Sequence, residues 1–472
     1  MNVAFIFMND TQTVGRGAGY IAGAIAAAGY PISFYDSYYT PIETIAGEII
    51  SGAADIVMIS TMTMNFQCAL ALIREIKKSK NIPVLVGGIH PTIEGIRLLE
   101  RYQEVDYLCV GEGESMVVDF LRNFSTPALL DVQNLCYRRN GKVCCNSIRP
   151  PENLSTLPSF PWHFFKKESI GGAGKGFLYV TASRGCPYNC TYCCNGIYLK
   201  FYGKHYIRFR PIEKVISELL YLKDAYPSPL FYFGDEMILA DPSYAKTLFS
   251  EVKNRVGVPY GLMARVEFVT GELAEHLGAT GCQYIAMGIE CGDEDFRKKH
   301  LNRFHSNEQI ERAFDLLRHA GIFRSSFNII GFPFDNDHEL TIKTIQLNKK
   351  VKPDYAYFTI FYPFPGTTLY DRCVTLDLID NERMEKTRQY YEESVLKNVF
   401  LKEYCTRITR KLNSVLPFEK KFDLHVSKKG CWYYSLMKMK FRGIDLAKKT
   451  LKILFGKRII ARIRSIRNMK LP

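Results

Sequence analysis

Short apolar runs that read as β-strands alternate with helical stretches along most of this 472-residue chain, and they do so in two separate series. In the first, "VAFIF" (3–7), "ISFYD" (32–36), "DIVMIST" (55–61), "IPVLVGG" (82–88) and "DYLCVGEGE" (106–114) are strands. "GYIAGAIAAAGY" (19–30), "ETIAGEIIS" (43–51) and "CALALIREIKKSK" (68–80) are the helices between them. Strands that alternate with helices form parallel sheets wound on both faces, whose ligands lie beyond the carboxyl ends of the strands. A Pro-rich stretch, "RPPENLSTLPSFPW" (149–162), reads as an extended connection. A second series follows, with strands at "GFLYVTASRG" (176–185), "PLFYFGD" (229–235), "YGLMARVE" (260–267), "QYIAMGIE" (283–290), "SSFNIIGFP" (325–333) and "DYAYFTIFYPFPG" (354–366). Six such repeats suggest a full or partial (β/α)6 barrel of TIM type, with its chemistry at the carboxyl ends of the strands. The fold class expected is α/β: a doubly wound Rossmann-like sheet over 1–145, a linker over 146–175, a barrel domain over 176–385 and a helical region over 386–472.

The cysteines sit where such a barrel would place its chemistry. "SRGCPYNCTYCCN" (183–195) puts Cys186, Cys190, Cys193 and Cys194 on the loop after the first barrel strand. The first three form C-x3-C-x2-C, a spacing that suits iron–sulfur or zinc ligation. A structural zinc site wants a second pair of ligands, and no second C-x2-C exists in the chain. Three thiolates on a cluster leave one iron open to a ligand. Fourteen cysteines in a chain that opens without a signal peptide argue for a cytoplasmic protein with reduced thiols. Cys68, Cys109, Cys282 and Cys373 read as buried structural thiols, and Cys144 and Cys145 as incidental neighbours.

In this context residues 176 to about 370 resemble the radical SAM family, which carries C-x3-C-x-aromatic-C after its first barrel strand. The resemblance implies that Cys186, Cys190 and Cys193 hold a [4Fe–4S] cluster. The open iron would be chelated by S-adenosylmethionine, whose reductive cleavage yields a 5′-deoxyadenosyl radical. It implies SAM contacts at Tyr192 (adenine), at Gly234, Asp235 and Glu236 (methionyl amine), at Glu290 (nucleoside) and at Gly331 (adenine). Arg265 would meet the SAM carboxylate or the substrate. For Glu290, Glu236 and Arg265 a plain capping or surface role stands as the alternative.

The first series resembles the cobalamin-binding domain fused to some radical SAM enzymes. The family's D-x-H-x-x-G appears as Asp10-Thr11-Gln12-Thr13-Val14-Gly15, with Gln12 in the histidine position. Ser60-Thr61-Met62 stands at its S-x-L, and Gly87-Gly88 at its Gly-Gly. The resemblance implies cobalamin bound base-off, with no histidine on cobalt. No G-x-G-x-x-G follows the first strand, which argues against a dinucleotide.

Together these readings give a cobalamin-dependent radical SAM enzyme that methylates an unactivated carbon of a small-molecule or lipid-linked substrate. A flavodoxin- or ferredoxin-type protein would supply electrons. A radical cyclase or rearrangement enzyme without methyl transfer, and a non-catalytic iron–sulfur or zinc sensor or scaffold, are the alternatives. From Lys438 to Lys470 the chain carries twelve Lys or Arg against one acid, Asp445, which is +11 of the net +14. Apolar residues at Ile444, Leu451, Leu454, Ile459 and Ile463 give that tail a helical stripe. It reads as a helix packed on the barrel or as a basic amphipathic helix at a membrane surface. Charge gathered in a tail, without interleaved aromatics, argues against nucleic acid.

Overall fold

The computed structural model describes residues 1–170, 177–226, 230–387, 393–397 and 409. The first sheet holds β1 (Val3–Phe7), β2 (Ile32–Asp36), β3 (Ile56–Ser60), β4 (Val84–Gly87), β5 (Tyr107–Cys109), β6 (Leu135–Arg139) and β7 (Lys142–Cys145), in the order β2-β1-β3-β4-β5-β6-β7. It is parallel from β2 through β5, and β6 and β7 add antiparallel. Strand residues alternate between its faces. Val3, Phe5 and Phe7 pack with the helix Arg16–Ala27, whereas Ala4 and Ile6 pack with the helices Ile42–Ser51 and Phe66–Ser79. Apolar residues on both faces of β1 are what a strand covered on both sides requires.

The β6–β7 hairpin is an addition to the expected sheet. It turns on Asn140 (φ +51°) and Gly141 (φ +74°), two consecutive left-handed residues that suit a tight hairpin. Cys136 and Cys145 face each other across it and form a disulfide, so Cys145 is not the incidental residue the sequence suggested. The register sets them opposite, which is what a disulfide needs and what sequence spacing alone does not reveal. Cys144 is a free, half-buried thiol.

The Pro-rich stretch is packed rather than loose. Leu154, Leu157, Phe160, Trp162 and Phe165 are buried in the apolar cluster that also takes Phe5 and Tyr20 from the first domain and Leu219 and Leu222 from the second.

The second domain opens with β8 (Leu178–Val180). A two-stranded ladder of β9 (Ser183–Arg184) and β10 (Arg208–Phe209) follows. Then come β11 (Phe231–Phe233), β12 (Tyr260–Ala264), β13 (Cys282–Glu290), β14 (Phe323–Ile330) and β15 (Tyr355–Ile360). With β8 these form a six-stranded, all-parallel sheet in the order β15-β14-β13-β12-β11-β8. Phe231, Phe233, Leu262 and Ile285 face the surrounding helices and are buried. The opposite, inner face carries aromatic rings on most strands: Tyr179, Tyr232, Tyr284, Phe323, Phe327, Tyr355 and Tyr357. Several of them stay partly accessible, Tyr179 at 36% and Phe323 at 45%. Neighbouring rings touch across strands, Tyr179–Tyr232 at 6.0 Å and Tyr232–Tyr284 at 5.8 Å between centroids. Closed barrels of this kind fill their interior with branched aliphatics. Here the inner face is aromatic and incompletely filled.

The helical C-terminal region and its basic tail fall almost wholly outside the described residues. Among the described residues no helix is long and apolar enough to cross a membrane.

Candidate functional site

The cysteine loop begins where β8 leaves its sheet. The buried Asp235, on the loop after β11, accepts hydrogen bonds at Oδ1 from Ala182 N at 2.8 Å, from Ser183 Oγ at 2.6 Å and from Ser183 N. These bonds take the backbone out of the parallel sheet, so the long strand expected over 176–185 is two short ones. Gly185 follows at φ +93°, and a side chain there would meet the backbone of Tyr206. Further along, the loop is tied to the barrel by Thr191 Oγ1 on the carbonyl of His300 (2.6 Å), by Asn302 Nδ2 on the carbonyl of Asn189 (2.7 Å) and by Leu369 N on the carbonyl of Thr191 (3.0 Å). Cys193 N closes a turn onto Cys190 O at 3.1 Å before the helix Asn195–Tyr202 begins.

Cys186 and Cys190 are buried, and Cys193 and Cys194 are half-buried. Burial pushes the Cys186 thiol up to about 12. It also raises Cys190, against the pull of the Arg303 and Arg265 guanidiniums. Cys193 and Cys194 share a hydrogen bond, which raises Cys193 and lowers Cys194. Among the described residues no three His, Cys, Asp or Glu side chains are grouped to hold a single metal ion. A [4Fe–4S] cluster binds each thiolate through a different iron, so its ligands need not converge on one point. Three thiols on one tethered loop, with two buried guanidiniums beside them, fit an anionic iron–sulfur cluster better than a zinc ion.

The barrel end behind the loop holds a connection that the sequence did not reveal. Arg303 is 4% exposed. Its Nη1 donates to the Tyr192 hydroxyl and to Glu290 Oε1, both at 3.1 Å, and its Nη2 to Gly288 O at 2.9 Å. Glu290 stands at φ +65°, just past a register irregularity between β13 and β14. A glutamate in left-handed backbone is uncommon, and here its carboxylate is pinned by Arg303. So Tyr192 and Glu290, two expected SAM contacts, are joined through one arginine. Gly331 (φ +78°) follows β14, and the next residue, Phe332, gives its N–H to Asp337 at 2.7 Å. Burial pushes Asp337 up to about 7. Arg265, at the end of β12, lies beside Cys190. Asp235 is committed to the backbone of Ala182 and Ser183.

A cavity of about 610 Å³ opens between the two domains. From the first sheet it is lined by Phe7, Gly15, Ser60, Met62, Gly87 and Gly88, all at or beyond the carboxyl ends of strands. From the second domain it is lined by Gly185, Cys194, Tyr198, Tyr206, Gly234 and Glu236. Glu236 is exposed to this space. The surrounding protein raises its pKa, and the Gly185 N–H opposes the rise. Gly88 is at φ +103° against the Thr61 backbone. Asp10 and Gln12 are not among the lining residues, and no histidine is. Tyr198, Tyr202 and Tyr206 stack on one another beside the cavity, with Tyr198 and Tyr206 at 5.2 Å. Charged bridges hold the two walls together. Arg208 forks onto Glu112 at 2.5 and 2.9 Å, Arg184 meets Glu114 at 2.6 Å, and Arg16 meets Glu218 at 3.0 Å. The glycine-lined edge of the first sheet gives a flat cofactor room to approach backbone. This donor set, with no imidazole in it, suits a corrinoid held without a histidine on cobalt.

Comparison with known proteins identifies both domains. Residues 180–343 match the radical SAM superfamily, and residues 10–121 match the B12 binding domain. The chain carries a radical SAM domain. It carries a B12-binding domain ahead of the barrel, and the cofactors of these two domains are a [4Fe–4S] cluster, SAM and cobalamin. An uncharacterized methyltransferase of Pyrococcus horikoshii is 28% identical over 364 residues, covering 76% of this chain and 77% of that protein. The anaerobic magnesium-protoporphyrin IX monomethyl ester cyclase of Rubrivivax gelatinosus is 24% identical over 370 residues, covering 74% of this chain and 64% of the cyclase. The radical SAM methyltransferase TsrM of Kitasatospora setae, solved with cobalamin and a [4Fe–4S] cluster, shares the fold. Its TM-score is 0.66 at 16% identity, over 80% of this chain and 78% of that one.

Proposed function

We propose that this radical SAM enzyme methylates an unactivated carbon of a flat, largely apolar small molecule. One observation carries the reading: a single cavity is walled by the carboxyl edge of the B12-binding sheet and, through Gly185, Cys194 and Asn195, by the loop that bears the cysteines, although Cys186, Cys190 and Cys193 do not themselves line it. When bound, the cluster with SAM supplies a carbon-centred radical, and the corrinoid supplies the methyl group. The chain's own residues do the rest. Cys186, Cys190 and Cys193 hold the cluster. The Tyr192–Arg303–Glu290 connection positions two groups toward the nucleoside, Gly331 lets the β14 backbone approach the adenine, and Gly234 and Glu236 face the cavity to receive the methionyl amine. Ser60, Gly87 and Gly88 cradle the corrinoid, with Gly15 at the start of the helix beside it, and Asp10 and Gln12 flank the site. Asp235 acts one step back, by fixing the start of the cysteine loop. The packed domain boundary excludes water, which protects a radical from quenching.

The rings of Tyr179, Tyr198 and Tyr206 line the cavity and support a flat substrate, because accessible rings favour offset stacking on a conjugated or apolar partner. The Rubrivivax relative is named for a protoporphyrin ester. That same relative favours a second reading, radical cyclisation without methyl transfer.

The two readings separate in one assay: anaerobic turnover of methyl-deuterated SAM with dithionite, with and without cobalamin. A methylase forms 5′-deoxyadenosine and S-adenosylhomocysteine, and loses the second product when cobalamin is withheld. A cyclase forms no S-adenosylhomocysteine. Release of neither product from a fully loaded protein would leave only the binding-protein reading.

A further inference from the structure

Arg265 follows the last residue of β12, and its contacts lead to the cysteine loop rather than to the cavity, which it does not line. It is 7% exposed. Its Nη1 donates to Cys190 Sγ at 3.5 Å. Its Nη2 is paired with Glu267 Oε1 at 2.5 Å. Its plane lies over the ring of Tyr188, 3.7 Å from the centroid, and Tyr188 belongs to the same loop, two residues before Cys190. Glu267 in turn lies 3.2 Å from Nδ1 of the buried His305. Three separate segments thus set one planar cation against one thiol. Arginine suits this task because its fork serves two partners while its face stacks on a third. Arg303 also stands near this thiol, but its Nη donors go to Tyr192, Glu290 and Gly288.

We propose that Arg265 raises the reduction potential of the iron–sulfur cluster by hydrogen-bonding the Cys190 thiolate, with the carboxylate of Glu267 partly offsetting its charge. The inference rests on the reading of Cys186, Cys190 and Cys193 as the cluster ligands. Reduction adds one electron to the cluster from a reductant outside the chain, and no bond in the protein changes. A fixed cation and an N–H donor at a ligating sulfur stabilise the more negative, reduced form. At a buried position salt screens that effect little.

The test is an EPR-monitored redox titration, with dithionite, of the full-length chain reconstituted with iron and sulfide. Arg265→Gln lowers the midpoint enough to cut the reduced-to-oxidised ratio at a fixed potential about tenfold, about 59 mV for a one-electron couple. Arg265→Lys, which keeps the charge without the planar fork, recovers part of that loss. Glu267→Gln moves the midpoint upward, because it removes the negative charge that offsets Arg265. A wild-type midpoint in Arg265→Gln at wild-type iron content overturns the inference, and so does an Arg265→Lys value as low as that of the glutamine variant. If Arg265→Gln holds no cluster, Glu267→Gln decides, and an unmoved midpoint there overturns the proposal. A wild-type chain that assembles no cluster overturns the reading of the cysteines and this inference with it. A normal cluster with unmoved potentials overturns the inference alone.

Discussion

Asp235 shows what a single buried residue does to the site. Its Oδ2 has no partner, and burial holds its pKa up at about 7 against an ordinary 3.8. Between those values the folded chain keeps a proton that the unfolded chain has lost. The contribution of this group to stability is therefore whole below about pH 4 and falls as pH rises toward 7. Asp235→Asn keeps an acceptor for the Ala182 and Ser183 donors and removes the buried charge. It is expected to be at least as stable as wild type at pH 8, and to flatten the pH slope in urea unfolding. Asp235→Ala leaves those donors unpaired, at about 1–3 kcal/mol each. A wild-type urea midpoint in Asp235→Ala would contradict this account. The sequence placed this aspartate at the site from its neighbours Gly234 and Glu236, but its role is local architecture. Arg303 was illegible for a different reason. It lies in "KKHLNRFHS", a run that reads as a solvated basic helix end, and only the folded barrel brings it to Tyr192 and Glu290.

At the scale of elements, the two βα series were legible because buried parallel strands read as continuous apolar runs. The β6–β7 hairpin does not show in the βα alternation, because no helix separates its strands, although "RRNGKV" carries the Asn-Gly signal. The loops after β1, β3 and β4 show which glycines matter. A side chain on Gly88 would meet the Thr61 carbonyl oxygen at 2.5 Å in left-handed backbone, whereas at Gly87 the nearest atom is Cys109 Cβ at 3.4 Å. Gly88→Ala is therefore expected to cost about 1–3 kcal/mol and to lose corrinoid on anaerobic gel filtration, while Gly87→Ala folds with near wild-type stability. Equal corrinoid retention by both variants, read from the visible spectrum, would show that the Gly88 backbone does not shape the site.

At the scale of the whole molecule, function depends on how the two sheets meet, which no motif encodes. Glu112 joins them: it takes the Arg208 fork, lies 3.8 Å from Arg184 and accepts from Glu152 N at 2.6 Å. Removing the charge of one partner of this half-buried pair leaves the other less compensated, a loss of about 1–3 kcal/mol. Glu112→Gln is expected to weaken the boundary, so that urea unfolding splits into two transitions and bound cobalamin dissociates faster. A single transition at the wild-type midpoint would argue that apolar packing through Phe160 and Trp162 holds the boundary alone.

The central claim is that a cluster with SAM on the cysteine loop and a corrinoid on the first sheet meet across one cavity. It is tested most directly by reconstituting the full-length chain anaerobically with iron, sulfide and cobalamin, recording its optical spectrum, and following SAM turnover under dithionite. The prediction is a cluster band with bound corrinoid and release of 5′-deoxyadenosine, with cluster and release lost in Cys186→Ala and kept in Cys194→Ala. Zinc in place of iron after reconstitution, or undiminished turnover in Cys186→Ala, would contradict it.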